Sequence, residues 1–310
     1  MIFGNIFIRT LCVLYLIFYY FDFDTSKKGG RGMGCKWFRD LVMWKYAINY
    51  LNHDVVKTAE LSSDRNYLIA ACPHGIISYG VVLCGATNYS KWHDLFPGIR
   101  SKVVTLSLNL MFPLYRECLL NWGFSDASAE NLNYLLSQSN DATDEMNKDG
   151  YTSNALFLIF GGAQEAFFSA PQSYKIYLNS RKGFVRIAIQ NGAGLVPAIS
   201  FGETDVYDTS QNENGSFLRK MQYLVKKYTT VAPVFFNGRG ILQKRFGLIP
   251  KRRPLTLVIG EPILCEKNVS PTKKQIDEVH SIFRQRLIDL FETHKVKYVN
   301  NHEKIHLEII

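Results

Sequence analysis

The chain has 310 residues and a mass of 35.5 kDa, enough for one large domain or two small ones. Apolar residues make up 47% and charged residues 20%, which excludes a disordered chain. The formal net charge of +9 admits three kinds of partner: nucleic acid, an anionic membrane, or a polyphosphate ligand. No zinc-finger spacing, RNP motif or homeodomain pattern is present, so no nucleic-acid partner is expected. The 6 cysteines have no Cys-x-x-Cys spacing, and reduced thiols are the default for such a chain.

The first element is a nearly unbroken apolar run over residues 2–21, with Arg9 its only charge. At about 1.5 Å per residue it spans roughly 30 Å, the thickness of a bilayer's hydrocarbon core. The charges of a cleaved signal peptide precede its apolar run. Here Lys27, Lys28, Arg31, Lys36 and Arg39 follow it, the order of an anchor whose C-terminal flank faces the cytosol. The expected organisation is therefore a membrane segment at residues 1–23 and a cytosol-facing domain at residues 24–310. The glycine-rich basic stretch after the anchor reads as a flexible linker able to rest on anionic headgroups. The sequons at Asn88, Asn214 and Asn268 are expected to stay unmodified in that orientation.

Five short apolar runs follow, at 67–72, 102–108, 155–160, 194–201 and 255–260, each bounded by turn residues as buried strands are. Helical patterns lie between them at 125–138 and 183–191, the latter stopping at Gly192. A final helix opens at Ser270-Pro271. This alternation predicts an α/β fold with a mostly parallel sheet and flanking helices.

Two strand ends carry polar chemistry. The first runs into Pro73-His74-Gly75, the third into Gly161-Gly162-Ala163-Gln164-Glu165. Ligands of open parallel sheets bind beyond the C-terminal strand edge, so His74 and Glu165 are expected at one cleft. A histidine there can take a proton from a hydroxyl, and a glutamate can orient a partner or accept a hydrogen bond from substrate. A turn-capping histidine and a solvated glutamate are the plainer alternatives. Arg181, Lys182 and Arg186 cluster at a helix start, where backbone N–H groups also favour anions. Lys251, Arg252 and Arg253 form a second basic patch, and both clusters also fit a solvated surface. The basic segment 216–228 fits an interfacial helix and a packed one equally well.

The segments RNYLIAACPHGIISYG, FPGIRSKVVTLSLNLMFPLYREC, FGGAQEA, RKGFVRIAIQNGAGLVPAISFGETDVY and VIGEPI, in this order, resemble the type 2 acyl-CoA:diacylglycerol acyltransferase family, which includes monoacylglycerol and wax-alcohol acyltransferases. The resemblance implies a glycerolipid-acyltransferase-like fold, acyl-CoA as donor, and diacylglycerol or another neutral lipid alcohol as acceptor. It implies His74 as catalytic base and the phosphates of CoA as ligands for Arg181, Lys182 and Arg186. It also implies residence in the endoplasmic reticulum membrane, which is compatible with association with lipid droplets. Homo-oligomerisation is left open. No cofactor is expected, acyl-CoA being a substrate. Many members read His-Pro-His-Gly where this chain has Cys72, and members from animals usually have two hydrophobic N-terminal segments where this chain has one. The His-x4-Asp of the wider glycerolipid acyltransferases places Tyr79 at the acidic position. The phosphate-binding arginine motif of those enzymes is replaced by Gly-Gly-Ala-Gln-Glu, which favours a neutral acceptor.

Three rival chemistries are weaker. Cys72 could be an acylated nucleophile, but reactive cysteines need an electropositive setting. Ser78 lies one residue too far from Gly75 for a hydrolase elbow. His302-Glu303-Lys304-Ile305-His306 has the spacing of a zinc-protease helix without a following third ligand, so no metal is expected. A membrane-anchored scaffold without activity is the alternative outside enzymology.

Overall fold

The structure is a computed structural model that describes residues 5–209, 224, 234–243 and 246–310. An apolar helix, α1 (Ile6–Asp22), opens it and continues into a 3-10 turn. Together they form the single helix among the described residues that is long and apolar enough to cross a membrane. Helices α2 (Lys36–Arg39) and α3 (Val42–Tyr50) lead into strand β1 (His53–Lys57). Then come β2 (Tyr67–Cys72), α4 (Tyr79–Gly85), α5 (Trp92–Leu95), β3 (Ile99–Thr105), α6 (Tyr115–Asn121) and β4 (Ser125–Asp126). Next are α7 (Ala129–Leu136), β5 (Ser153–Ile159), α8 (Ala163–Ala166), β6 (Lys175–Ile176), α9 (Gly183–Asn191) and β7 (Gly194–Phe201). The chain closes with β8 (Asp208–Thr209), β9 (Phe236–Asn237), β10 (Leu255–Ile259), β11 (Ile263–Leu264), α10 (Lys273–Tyr298) and β12 (Glu308–Ile309).

The main sheet has the order β1-β10-β7-β2-β5-β3-β4, with β11 also on β7. All pairs are parallel except those of β10 and β11 with β7, so the expected mostly parallel α/β sheet is what forms. Its strands are buried on both faces, and alternate residues feed two cores. Along β2, Leu68, Ala70 and Cys72 enter the core under α7, α9 and α10. Tyr67, Ile69 and Ala71 enter the one under α4, α5 and α6.

Five local expectations change, the first being the helical pattern at 125–138, which is shortened to α7 after the Ser128 cap because Ser125 and Asp126 pair with β3. The second expected strand begins earlier, at Ile99, because Arg100 and Lys102 are buried with partners: Arg100 pairs with Asp149 at 2.6 Å and Lys102 Nζ donates to the Gly29 carbonyl at 2.5 Å. β1 went unread because its two valines sit between charged residues at the sheet edge. The last helix starts after Thr272 rather than Ser270. A reciprocal box holds it there, in which Gln275 N–H donates to Thr272 Oγ and Thr272 N–H to Gln275 Oε1. The stretch after α1 is pinned and not free. Gly29 N–H donates to Asn131 Oδ1 at 2.7 Å, and a Cβ at Gly34 would lie 2.4 Å from the backbone nitrogen of Gly123. The segment 216–228, Leu224 apart, and the Asn214 sequon lie outside the described residues.

Candidate active site

β7, β2 and β5 lie side by side and parallel, so their C-terminal ends meet at one edge of the sheet. The middle strand, β2, runs through Pro73 into the loop that carries His74. Its neighbours end in Gly161 and Gly162 on one side and Gly202 on the other, each followed by a glutamate. Both glutamates turn inward onto the His74 loop. Glu165 Oε2 accepts the His74 backbone N–H at 2.8 Å, and its Oε1 accepts the Tyr177 N–H at 3.0 Å. Glu203 accepts the N–H groups of Tyr79 and Gly80 at 2.8 Å each and the Ser200 hydroxyl at 2.9 Å. Ser78 Oγ donates to the His74 carbonyl at 2.6 Å. The loop from His74 to Gly80 is thus clamped at both ends by buried carboxylates. Space is tight: a Cβ at Gly75 would approach Glu203 Cγ to 2.8 Å, and Gly75 has φ +58°.

Burial pushes both carboxyls up to about 7, against the opposing pull of the N–H groups they accept. The His74 imidazole is half-buried, and desolvation lowers its pKa, so the ring is neutral at pH 7. Nδ1 lies 3.2 Å from the Gly75 carbonyl, a contact that needs a proton on Nδ1 and leaves Nε2 as the basic nitrogen. Among the described residues, no carboxylate bonds to the ring. At the His-x4-Asp position, Tyr79 shares its hydroxyl with Tyr207 at 3.1 Å.

His74 lines a cavity of about 390 Å³, inside the range of roughly 300–1,000 Å³ usual for ligand pockets. Its walls are mostly apolar, with Trp44, Val82, Leu119 and Phe124 prominent among them. Cys72 does not reach it. Its side chain is 0% exposed in the core on the other side of β2, and burial raises its thiol pKa, with the Glu165 charge adding to the effect. Glu165 is only 2% exposed, holds the histidine's backbone N–H, and is not among the residues that line the cavity.

The basic cluster divides. Lys182 pairs with Asp277 at 2.6 Å, Arg181 lies over the Tyr177 ring, and Arg186 is exposed on the first turn of α9. His302 stands in a 3-10 turn and His306 in extended chain, where its Nδ1 meets Glu292 at 3.1 Å. The helix that would put both histidines on one face is absent from this described segment. Sequence reasoning missed Glu203, although it obeys the same rule as Glu165: an acid after a glycine at the end of a buried strand.

The family model for diacylglycerol acyltransferase matches residues 1–309. The chain belongs to the diacylglycerol acyltransferase family. Mouse and human diacylglycerol O-acyltransferase 2 are each 38% identical to it over 93% of this chain and 71% of their own length. Human 2-acylglycerol O-acyltransferase 1 is 34% identical over 96% of this chain and 85% of its own. Among solved structures, the 1-acyl-sn-glycerophosphate acyltransferase PlsC from Thermotoga maritima aligns over 90% of this chain and 96% of its own. The TM-score is 0.40 at 11% identity.

Proposed function

We propose that this family member transfers a fatty acyl group from acyl-CoA to the free hydroxyl of diacylglycerol, forming triacylglycerol, with His74 as general base. The observation that carries the reading is a neutral histidine, locked through its backbone, on the wall of an apolar cavity. In the step, Nε2 takes the hydroxyl proton as the alkoxide oxygen attacks the thioester carbonyl. The tetrahedral adduct collapses with loss of CoA thiolate, and the imidazolium returns the proton to that sulfur. Because Cys72 is a buried neutral thiol on the opposite face, transfer is direct, without an acyl-enzyme. Arg186 and Arg181 are the better candidates for the phosphates of CoA, since Lys182 already has an acidic partner.

α1 is the membrane anchor in this reading, and the domain after it faces the cytosol at the endoplasmic reticulum, in reach of lipid droplets. Length, apolar composition and the basic residues behind the helix support this. In this orientation the sequons at Asn88 and Asn268 stay unmodified, and a glycosidase-sensitive mass shift at either would overturn it.

A second reading takes a 2-monoacylglycerol as acceptor, and the match to human 2-acylglycerol O-acyltransferase 1 supports it. Purified protein, labelled oleoyl-CoA and a panel of diacylglycerol, monoacylglycerol and long-chain alcohol separate the readings. Triacylglycerol as the main product is expected. Label only in diacylglycerol would establish the second reading, and label only in wax ester would overturn both.

A further inference from the structure

The chain between the 3-10 turn at Ser107–Leu110 and α6 makes an outward tip whose side chains have no internal reason to be apolar. Leu114 is 69% exposed, Phe112 53%, and Met111 and Tyr115 51% each. The tip is also strained. Leu114 has φ +68° and ψ −46°, a conformation unfavourable for a branched side chain, and the Tyr115 N–H closes a tight turn onto the Pro113 carbonyl at 2.9 Å. Strain at a solvent-facing leucine persists only where the surroundings hold it.

What holds it is α1. Tyr15 Oη accepts the Leu114 N–H at 2.9 Å, and Tyr19 Oη donates to the Met111 carbonyl at 2.8 Å. Cys12, Tyr15, Tyr19 and Asp22 form the half-buried face of an otherwise exposed helix. At its end, Asp22 meets Arg116 at 2.7 Å and Arg31 at 3.0 Å, and Arg31 meets Glu117 at 2.5 Å. These four charges belong at a membrane–water boundary. Tyr15 Oη also lies 3.5 Å from Glu117 Oε1, so the tip stands directly beside this charged boundary, where apolar side chains of interfacial elements dip about 5–10 Å into the headgroup and acyl region.

We infer that the Met111–Tyr115 tip is a wedge seated in the hydrocarbon of the bilayer, along which a neutral glyceride enters the His74 cavity from within the membrane plane. The occupant is lipid because the tip is continuous with the exposed face of α1, and this rests on the reading of α1 as an anchor. Entry is local because Leu106 and Asn109, just before the tip, and Tyr115, its last residue, line the cavity. The partition of a glyceride into the bilayer makes such a route chemically apt, since the acceptor never has to cross water.

The full-length protein in vesicles of brominated phospholipids tests this. In L114W, the fluorescence added to that of the 4 native tryptophans should be quenched by bromines in the upper acyl chain. F112E and L114G, the latter relieving the strained φ, should each lose on the order of tenfold activity toward acceptor embedded in vesicles. Both should stay near wild type with a short-chain diacylglycerol dispersed as monomers. Absence of quenching, or equal losses on both acceptors, would overturn the wedge. Quenching that disappears as protein density rises, with crosslinks between copies at the tip, would replace lipid by a second copy. A wild-type protein inactive on every acceptor would refute the proposed reaction, while the quenching result would still decide the wedge.

Discussion

Two histidine motifs lie at opposite ends of this chain, and the comparison separates a site from a spelling. Around His74, both ends of the loop are held by buried carboxylates, the ring is desolvated, and an apolar cavity adjoins it. Around His302 and His306, the backbone makes a 3-10 turn, His306 meets Glu292 on α10 at 3.1 Å, and the cavity that His302 lines is polar, with Gln172, Asp205, Arg253 and Asn301 in its wall. The shorter motif is embedded in a parallel sheet edge, whereas the better-known spacing is draped over the surface. The proposed chemistry rests on placement beside strand ends and not on residue spacing alone.

The largest effect expected from this contrast is at His74. General-base catalysis is worth about 10²–10⁴-fold, so His74→Ala should lower turnover at least a hundredfold with little change in acyl-CoA binding. Steady-state kinetics with triacylglycerol as readout check it, and a loss below about tenfold would remove His74 from the proton transfer.

The clamp should come next. Glu165→Gln and Glu203→Gln each set an amide NH₂ against backbone donors, at a cost of about 1–3 kcal/mol in stability. Activity should fall less than in His74→Ala. The pH response has a definite sign. Each carboxyl titrates near 7 when folded and about 4.3 when unfolded, so the folded state binds more protons between these values. The stability they contribute is complete below the unfolded value and is lost as pH rises through about 7. Melting curves of wild type should therefore show a steeper fall from pH 5 to 8 than those of Glu203→Gln. Parallel pH profiles would show that Glu203 is ionised at no cost.

A smaller effect is expected at Cys72. Cys72→Ala should keep most of its activity, because the thiol packs in the core beneath α9 and α10. Incubation with labelled acyl-CoA and no acceptor should leave no hydroxylamine-sensitive label on the protein. Label on Cys72, with a dead Cys72→Ala variant, would make His74 the activator of a thiolate.

The smallest effect belongs to the other motif. Replacing His302 and His306 by alanine should leave transfer at wild-type rate, and a chelator should do the same. Loss of activity in both experiments would erase the distinction drawn between the two motifs.

Much of this architecture was legible from residues alone. Strands β2 and β7 were read to the residue because continuous apolar runs bounded by polar turns are what a two-sided buried strand requires. The same pattern located His74 and Glu165 at adjacent strand ends, and the glycine at 192 ended α9 where a left-handed C-cap was expected. Tertiary contacts decided the rest. Arg100 and Lys102 look like surface residues until Asp149 and the Gly29 carbonyl meet them in the interior. Glu165 was expected to orient a partner or accept a hydrogen bond from substrate, and only the fold reveals that its two oxygens accept the backbone N–H groups of His74 and Tyr177. Glu203 becomes visible as the second half of the clamp only when β7 is laid against β2. The tie between α1 and the Met111–Tyr115 tip spans about a hundred residues of chain. Local periodicity encodes which face of an element is buried, but it carries no record of which distant donor a carboxylate or hydroxyl will find, because that pairing exists only after the sheet has brought the two together.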